Sequence, residues 1–143
     1  MTKKRNAQPE AALQRAVRRM LMTRGPEGLF WIGGAAGMRL PPSMVSKARS
    51  TGILNRGWPD ISILCPDGIV RLIELKADAK AELSAEQEQF RDVCAWSGRD
   101  VWAKCWNIGM VEAKLADWGI TLRPEISDVD YATDGKSFWE AFE

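Results

Sequence analysis

Two short segments hold the residue types that metal-assisted phosphate chemistry needs. Ile73-Glu74-Leu75-Lys76 alternates apolar and charged residues. In a strand, alternate side chains share a face, so Glu74 and Lys76 stand together while Ile73 and Leu75 point the other way. Pro59-Asp60 opens the preceding apolar run, bringing a second carboxylate to a strand end where it can approach Glu74 across a hairpin. Two carboxylates can hold a hard divalent cation through oxygen. Such a cation polarises a phosphodiester and makes a nucleophile of water, while an ammonium beside it positions that water or offsets developing charge. A Glu–Lys or Asp–Lys pair on a solvated sheet face is the ordinary alternative for a P-D followed by E-x-K, and these two segments alone favour it.

Two further polar residues bear on that choice. Glu10 lies three residues before Leu13 and seven before Val17, on the apolar stripe of a helix; the competing reading is a first-turn acid that complements the helix dipole. Gln87 shares a helical stripe with Leu83, Phe90 and Cys94, which turns it toward the sheet. Ser84-Ala85-Glu86-Gln87 also fits a capping box, in which Gln87 reaches back to the Ser84 amide. One side chain is expected to serve the cap or the site, not both.

Absences narrow the chemistry. The chain of 143 residues has no histidine, which excludes Ser-His and Cys-His nucleophiles, His-ligated zinc and histidine bases. A G-x-x-x-x-G-K-[ST] loop is also missing, which argues against an ordinary P-loop NTPase. The three cysteines, Cys65, Cys94 and Cys105, are widely spaced in apolar segments and read as core thiols of a reducing cytoplasm. No apolar run approaches the ~18 residues of a membrane span, and the basic N-terminus lacks the apolar stretch of a signal peptide. A cytoplasmic protein without membrane contact is the expectation, in a bacterium or a phage-infected host. The net charge of +1 is unevenly spread. Residues 1–58 carry eleven Lys/Arg against Glu10 and Glu27, a net of +9, and residues 59–143 carry nine against seventeen acids, a net of −8. Such a split suggests a basic surface for a polyanion beside an acidic portion that could hold cations, with a chance fluctuation on a solvated surface as the alternative.

These side chains need elements to position them. Pro9 to about Thr23 has helical spacing of Leu13, Val17, Met20 and Leu21, and Gly25-Pro26 stops it. Leu29 to Ile32 reads as a strand, and Pro41 to Ser50 as a helix. Asp60–Cys65 and Ile69–Lys76 make a β-hairpin about the Pro66-Asp67-Gly68 turn. Ser84 opens a helix to Trp96, Val101–Trp106 is a strand, and Met110–Trp118 a last helix. Trp102 and Trp106 share one strand face with Lys104 between them; core or subunit packing is preferred over base stacking. The order predicts an α/β fold with a mixed central sheet flanked by helices. Lys47, Arg49 and Arg56 flank the loop into Asp60 and are the candidate phosphate contacts, with an ordinary solvated helix and loop as the alternative.

Taken in order, Gly57-Trp58-Pro59-Asp60, Ile73-Glu74-Leu75-Lys76 and Leu83-Ser84-x-x-Gln87-x-x-Phe90 resemble the virus-type replication-repair nuclease (VRR-NUC) family, a branch of the PD-(D/E)xK superfamily. Glu10 with Leu13-Gln14, and the Gly52-to-Gly57 loop, match its early helix and its approach to the P-D. The resemblance spans roughly residues 8–118. It implies a PD-(D/E)xK restriction-endonuclease-like core, with a basic tail at 1–7, a nuclease domain at 8–120, and a C-terminal tail at 121–143 for packing or oligomerisation. It further implies Mg²⁺ or Mn²⁺ held by Asp60, Glu74 and the Leu75 carbonyl, with Lys76 serving the attacking water and Glu10 and Gln87 completing the catalytic set. The implied activity is a structure-selective DNA endonuclease for Holliday-junction or flap-like DNA in replication, recombination or repair, phage-derived and homodimeric. A non-catalytic branched-DNA-binding module on the same fold is the alternative. Members often place glycine and proline after the lysine, whereas Ala77-Asp78-Ala79-Lys80 follows here.

Overall fold

The computed structural model describes residues 2–33, 42–44, 47 and 57–125, with side chains from residue 9 onward. Four strands form a mixed sheet in the order β1-β2-β3-β4: β1 (Phe30–Gly33), β2 (Ile61–Leu64), β3 (Val70–Leu75) and β4 (Trp102–Cys105). The first three are antiparallel neighbours and β4 runs parallel to β3. The parallel step requires a crossover, which α2 (Ala85–Trp96) supplies. Helices α1 (Thr2–Arg24) and α3 (Ile108–Asp117) complete the described elements.

The expected α/β order and mixed sheet are present. In the β2–β3 hairpin, the Gly68 amide donates to the Cys65 carbonyl at 2.9 Å, and Gly68 takes φ 81, a conformation a side chain disfavours. The helix expected from Pro9 begins instead at Thr2, so residues 2–7, expected as a tail, form its first turns. Pro9 sits inside it, where its missing N–H leaves one carbonyl without its helical partner. Lys3, Lys4, Arg5, Ala7 and Gln8 are ordinary or strong helix formers, and they carry the helix upstream. Of the helix expected over 41–50, residues 42–44 and 47 are helical and the rest lie outside the described residues.

Period-two alternation divides the sheet into unlike faces. Ile61, Ile63, Ile73, Leu75, Ala103 and Cys105 are buried on one face, against Val17, Met20 and Leu21 of α1 and Val111 and Leu115 of α3, with Trp118 and Ile120 closing the core. Each Val, Leu or Ile so buried contributes roughly 1.5–3 kcal/mol relative to exposure. This is why α1 cannot shift along the sheet without losing its packing, and α1 is the element that carries Glu10.

The other face is only partly covered. Strand register puts Phe30, Ile32, Leu64 and Val70 on it, and all four are exposed. Helix α2 lies over the β3–β4 end, and none of its residues is fully buried; Gln87, Phe90 and Cys94 are the half-buried ones, the stripe expected from sequence. Two packing expectations are corrected here. Trp102 and Trp106 are half-buried, because Ala103 and Cys105 hold the core-facing positions of β4, so of the expected core or subunit packing the core part does not hold. Cys65 and Cys105 are core thiols, but Cys94 is only half-buried.

Candidate active site

At one end of the sheet three elements bring their carboxylates together. Asp60 immediately precedes β2, Glu74 is the penultimate residue of β3, and Glu10 comes from the third turn of α1. One carboxylate oxygen from each lies within 4.8 Å of the others. Asp60 and Glu74 are buried, at 7% and 3% exposure, and Glu10 is half-buried. Exposed acid pairs on strands stay apart in water; burying three together calls for a proton or a cation among them.

Asp60 is fixed from two sides. Its Oδ2 accepts the Leu75 N–H at 2.7 Å and its Oδ1 accepts from Gln14 Nε2 at 3.0 Å. A carboxylate oxygen offers more than one acceptor direction, so both oxygens keep a lone pair for the cluster. Gln14 stands one helical turn after Glu10, on the same face of α1. Leu75 thus holds Asp60 through its amide, a different group from the carbonyl that the resemblance assigns to the metal.

Glu74 and Lys76 share the face that alternation assigns them. Lys76 Nζ lies 3.8 Å from Glu74 Oε1 and donates to Gln87 Oε1 at 2.9 Å. Gln87 Nε2 in turn donates to Glu74 Oε1 at 2.9 Å. The same Gln87 closes the capping box: Ser84 N–H donates to its Oε1 at 2.8 Å, and its own N–H donates to Ser84 Oγ at 3.2 Å. The two roles expected to compete are thus filled at once. An amide oxygen has two lone pairs, and here one faces Ser84 and the other Lys76.

Electrostatics follow from this burial. Loss of solvent, then the Asp60 charge, push Glu74 up to about 8, although Lys76 pulls the other way. Desolvation also raises Asp60, against the Leu75 amide and the charges of Lys76 and Arg18. Glu10 is raised by desolvation, with Lys76 opposing and Asp60 adding to it.

The segment before Asp60 is wedged under α2. Gly57 has φ 81, and a Cβ there would meet the Glu86 carbonyl oxygen at 2.6 Å. Trp58 donates its indole N–H to Ser62 Oγ at 3.1 Å and meets Phe90 edge-on at 5.0 Å. These contacts tie the Asp60 turn to the first two turns of α2 and so hold Asp60 and Gln87 in one frame.

Glu10, Asp60, Glu74, Lys76 and Gln87, the five side chains singled out from sequence, therefore converge. Lys47 is helical and exposed, on a segment whose relation to the cluster is not described, and Arg49 and Arg56 lie outside the described residues. Sequence reasoning assigned no role to Gln14 or Arg18. The signal available was the i, i+4, i+8 spacing of Glu10, Gln14 and Arg18, which lines them up on one helix face. Among the described residues no helix is long and apolar enough to cross a membrane. Comparisons with protein-family models, with curated proteins and with solved structures give no match for this chain.

Proposed function

We propose that this protein is a divalent-metal-dependent deoxyribonuclease of the PD-(D/E)xK type, similar to VRR-NUC nucleases, that hydrolyses phosphodiesters in branched or otherwise structured DNA. The observation that carries this reading is the convergence of half-buried Glu10 with buried Asp60 and Glu74 within 4.8 Å, beside an ammonium held by Gln87 at 2.9 Å. A mixed sheet flanked by helices is the coarse architecture the resemblance implies.

The donor set fits Mg²⁺ or Mn²⁺: oxygen ligands, no thiolate or imidazole, and acids whose affinity for protons is raised first by burial. Asp60 and Glu74 would hold the ion with Glu10 closing the cluster from α1, and the ion would supply Lewis acidity toward the phosphate and acidity to water. The protein's own groups do the rest. The Leu75 amide and Gln14 keep Asp60 from rotating. Gln87 holds the Lys76 ammonium on the same side as Glu74, where it can orient the attacking water and offset charge on the phosphate as the bond breaks.

The test is a cleavage panel of junction, flap, splayed, duplex and single-stranded DNA, in Mg²⁺, Mn²⁺ and EDTA. Metal-dependent cutting of a branched substrate, lost in Asp60→Asn and Lys76→Met, supports the reading. Binding of branched DNA without cutting under any metal would return the protein to the alternative of a non-catalytic module.

A further inference from the structure

Helix α1 lays a row of three polar side chains along the end of the sheet: Glu10, Gln14 and Arg18, at i, i+4 and i+8. The first belongs to the carboxylate cluster and the second bonds Asp60. The third has a docking place of its own. A Cβ at Gly33 would stand 3.0 Å from Arg18 Nε and 3.1 Å from its Cζ and Nη2, so the guanidinium lies against the bare glycine backbone at the end of β1. Gly33 pairs with Ile61, the residue after Asp60. The Arg18 charge accordingly acts on the Asp60 carboxylate from that flank.

Charge balance gives this placement a use. Three ionised carboxylates against one divalent cation and the Lys76 ammonium leave the site neutral, so a phosphodiester entering it would bring an uncompensated negative charge. A guanidinium offers planar, paired donors that match phosphate oxygens and cannot lose its proton near neutrality. We propose that Arg18, laid against Gly33, is a substrate-binding residue of this site that receives a phosphate of the DNA strand at the carboxylate cluster. The proposal rests on the nuclease reading, and it adds to that reading a residue outside the metal, lysine and glutamine set.

The experiment compares wild type with Arg18→Met, Arg18→Lys and Gly33→Ala. Binding of a branched duplex is measured against salt with Ca²⁺ replacing Mn²⁺, and single-turnover cleavage is measured in Mn²⁺. A third arm places one uncharged methylphosphonate at the scissile position. Loss of one phosphate contact should flatten the log–log salt dependence by about 0.9 in Arg18→Met. Cleavage at saturating DNA should fall tenfold or more, with partial rescue by Arg18→Lys. Methylphosphonate should weaken wild-type binding and leave Arg18→Met binding unchanged. If Arg18→Met fails to fold, Gly33→Ala, which displaces the guanidinium without removing it, should flatten the salt dependence in the same way. A folded variant with the wild-type slope and the wild-type methylphosphonate penalty overturns the proposal and leaves Arg18 as a counter-charge for Asp60. Absence of any cleavage by wild type would sink the nuclease reading instead, and the salt slope would still report whether Arg18 meets a phosphate.

Discussion

Gln87 donates from Nε2 to Glu74 Oε1 at 2.9 Å, so a helix cap and a buried carboxylate share one amide. Its orientation is forced: the oxygen faces two donors, Ser84 N–H and Lys76 Nζ, and only the nitrogen can face Glu74. Gln87→Glu keeps an acceptor for Ser84 and Lys76 but turns a carboxylate oxygen toward Glu74, where two like charges at ~4 Å repel by roughly 4 kcal/mol at an effective dielectric near 20. The cap itself should survive, since glutamate caps as well as glutamine, so the melting midpoint should fall in EDTA through the repulsion and recover in Mn²⁺, which offsets the added charge. Single-turnover cleavage should fall by an order of magnitude or more, about 1.4 kcal/mol of barrier per factor of ten. Equal stability and equal activity would reduce Gln87 to its cap.

Stability without metal should fall as pH rises. Glu74 binds its proton more tightly in the folded protein, with its pKa raised from 4.5 to about 8, so its contribution is fully present below 4.5 and is lost as pH rises through 8. Glu10 and Asp60 are raised as well and act in the same direction. In EDTA the melting midpoint should decline between about pH 5 and 8, and Glu74→Gln should flatten that decline. Mn²⁺ binds the deprotonated acids and should reverse the slope. Midpoints that are indifferent to pH in EDTA, or to Mn²⁺ at pH 8, would count against a metal cluster.

Removing Asp60 should separate binding from cutting. Asp60→Asn retains an acceptor for Leu75 N–H but loses charge at the cluster, so affinity for branched DNA should hold or rise while cleavage drops by at least a hundredfold. Such a drop corresponds to about 2.7 kcal/mol of barrier. Fluorescence anisotropy and gel cleavage on one preparation read both quantities, and parallel loss of the two would mean that Asp60 supports the fold rather than the chemistry.

Gly57→Ala tests the wedge beneath α2. Its φ of 81 and the 2.6 Å approach to the Glu86 carbonyl penalise any side chain, by strain on the order of 1–3 kcal/mol. Because Glu86 adjoins Gln87, the helix start must move, and activity should fall further than the melting shift alone explains. A variant with wild-type kinetics would show that α2 can give way without disturbing the site.

The strand chemistry was legible because a period of two leaves no choice: once Ile73 and Leu75 are buried, Glu74 and Lys76 must share the other face. Gln87 was legible as a stripe residue, yet its double service was not, because lone-pair geometry depends on where Lys76 reaches from an adjacent loop. Gln14 could be placed beside Glu10 on a helix, but its bond to Asp60 depends on how α1 crosses β2, which no local pattern encodes. Pro9 misled in a specific way. It is favoured at a helix start, and here the start lies seven residues earlier, where basic residues without an apolar stripe gave no periodic signal.

Helix α2 has no fully buried residue, while α1 and α3 are anchored in the core. Elements with so little apolar anchorage open first, as local units with a free energy well below global unfolding. Amide protons of α2 should therefore exchange faster than those of β2 and β3, and each opening carries Gln87 away from Lys76 and Glu74. Heating should then extinguish catalysis before the sheet melts, and divalent cation, by rewarding the closed arrangement around Glu74, should slow exchange in α2 more than anywhere in the core.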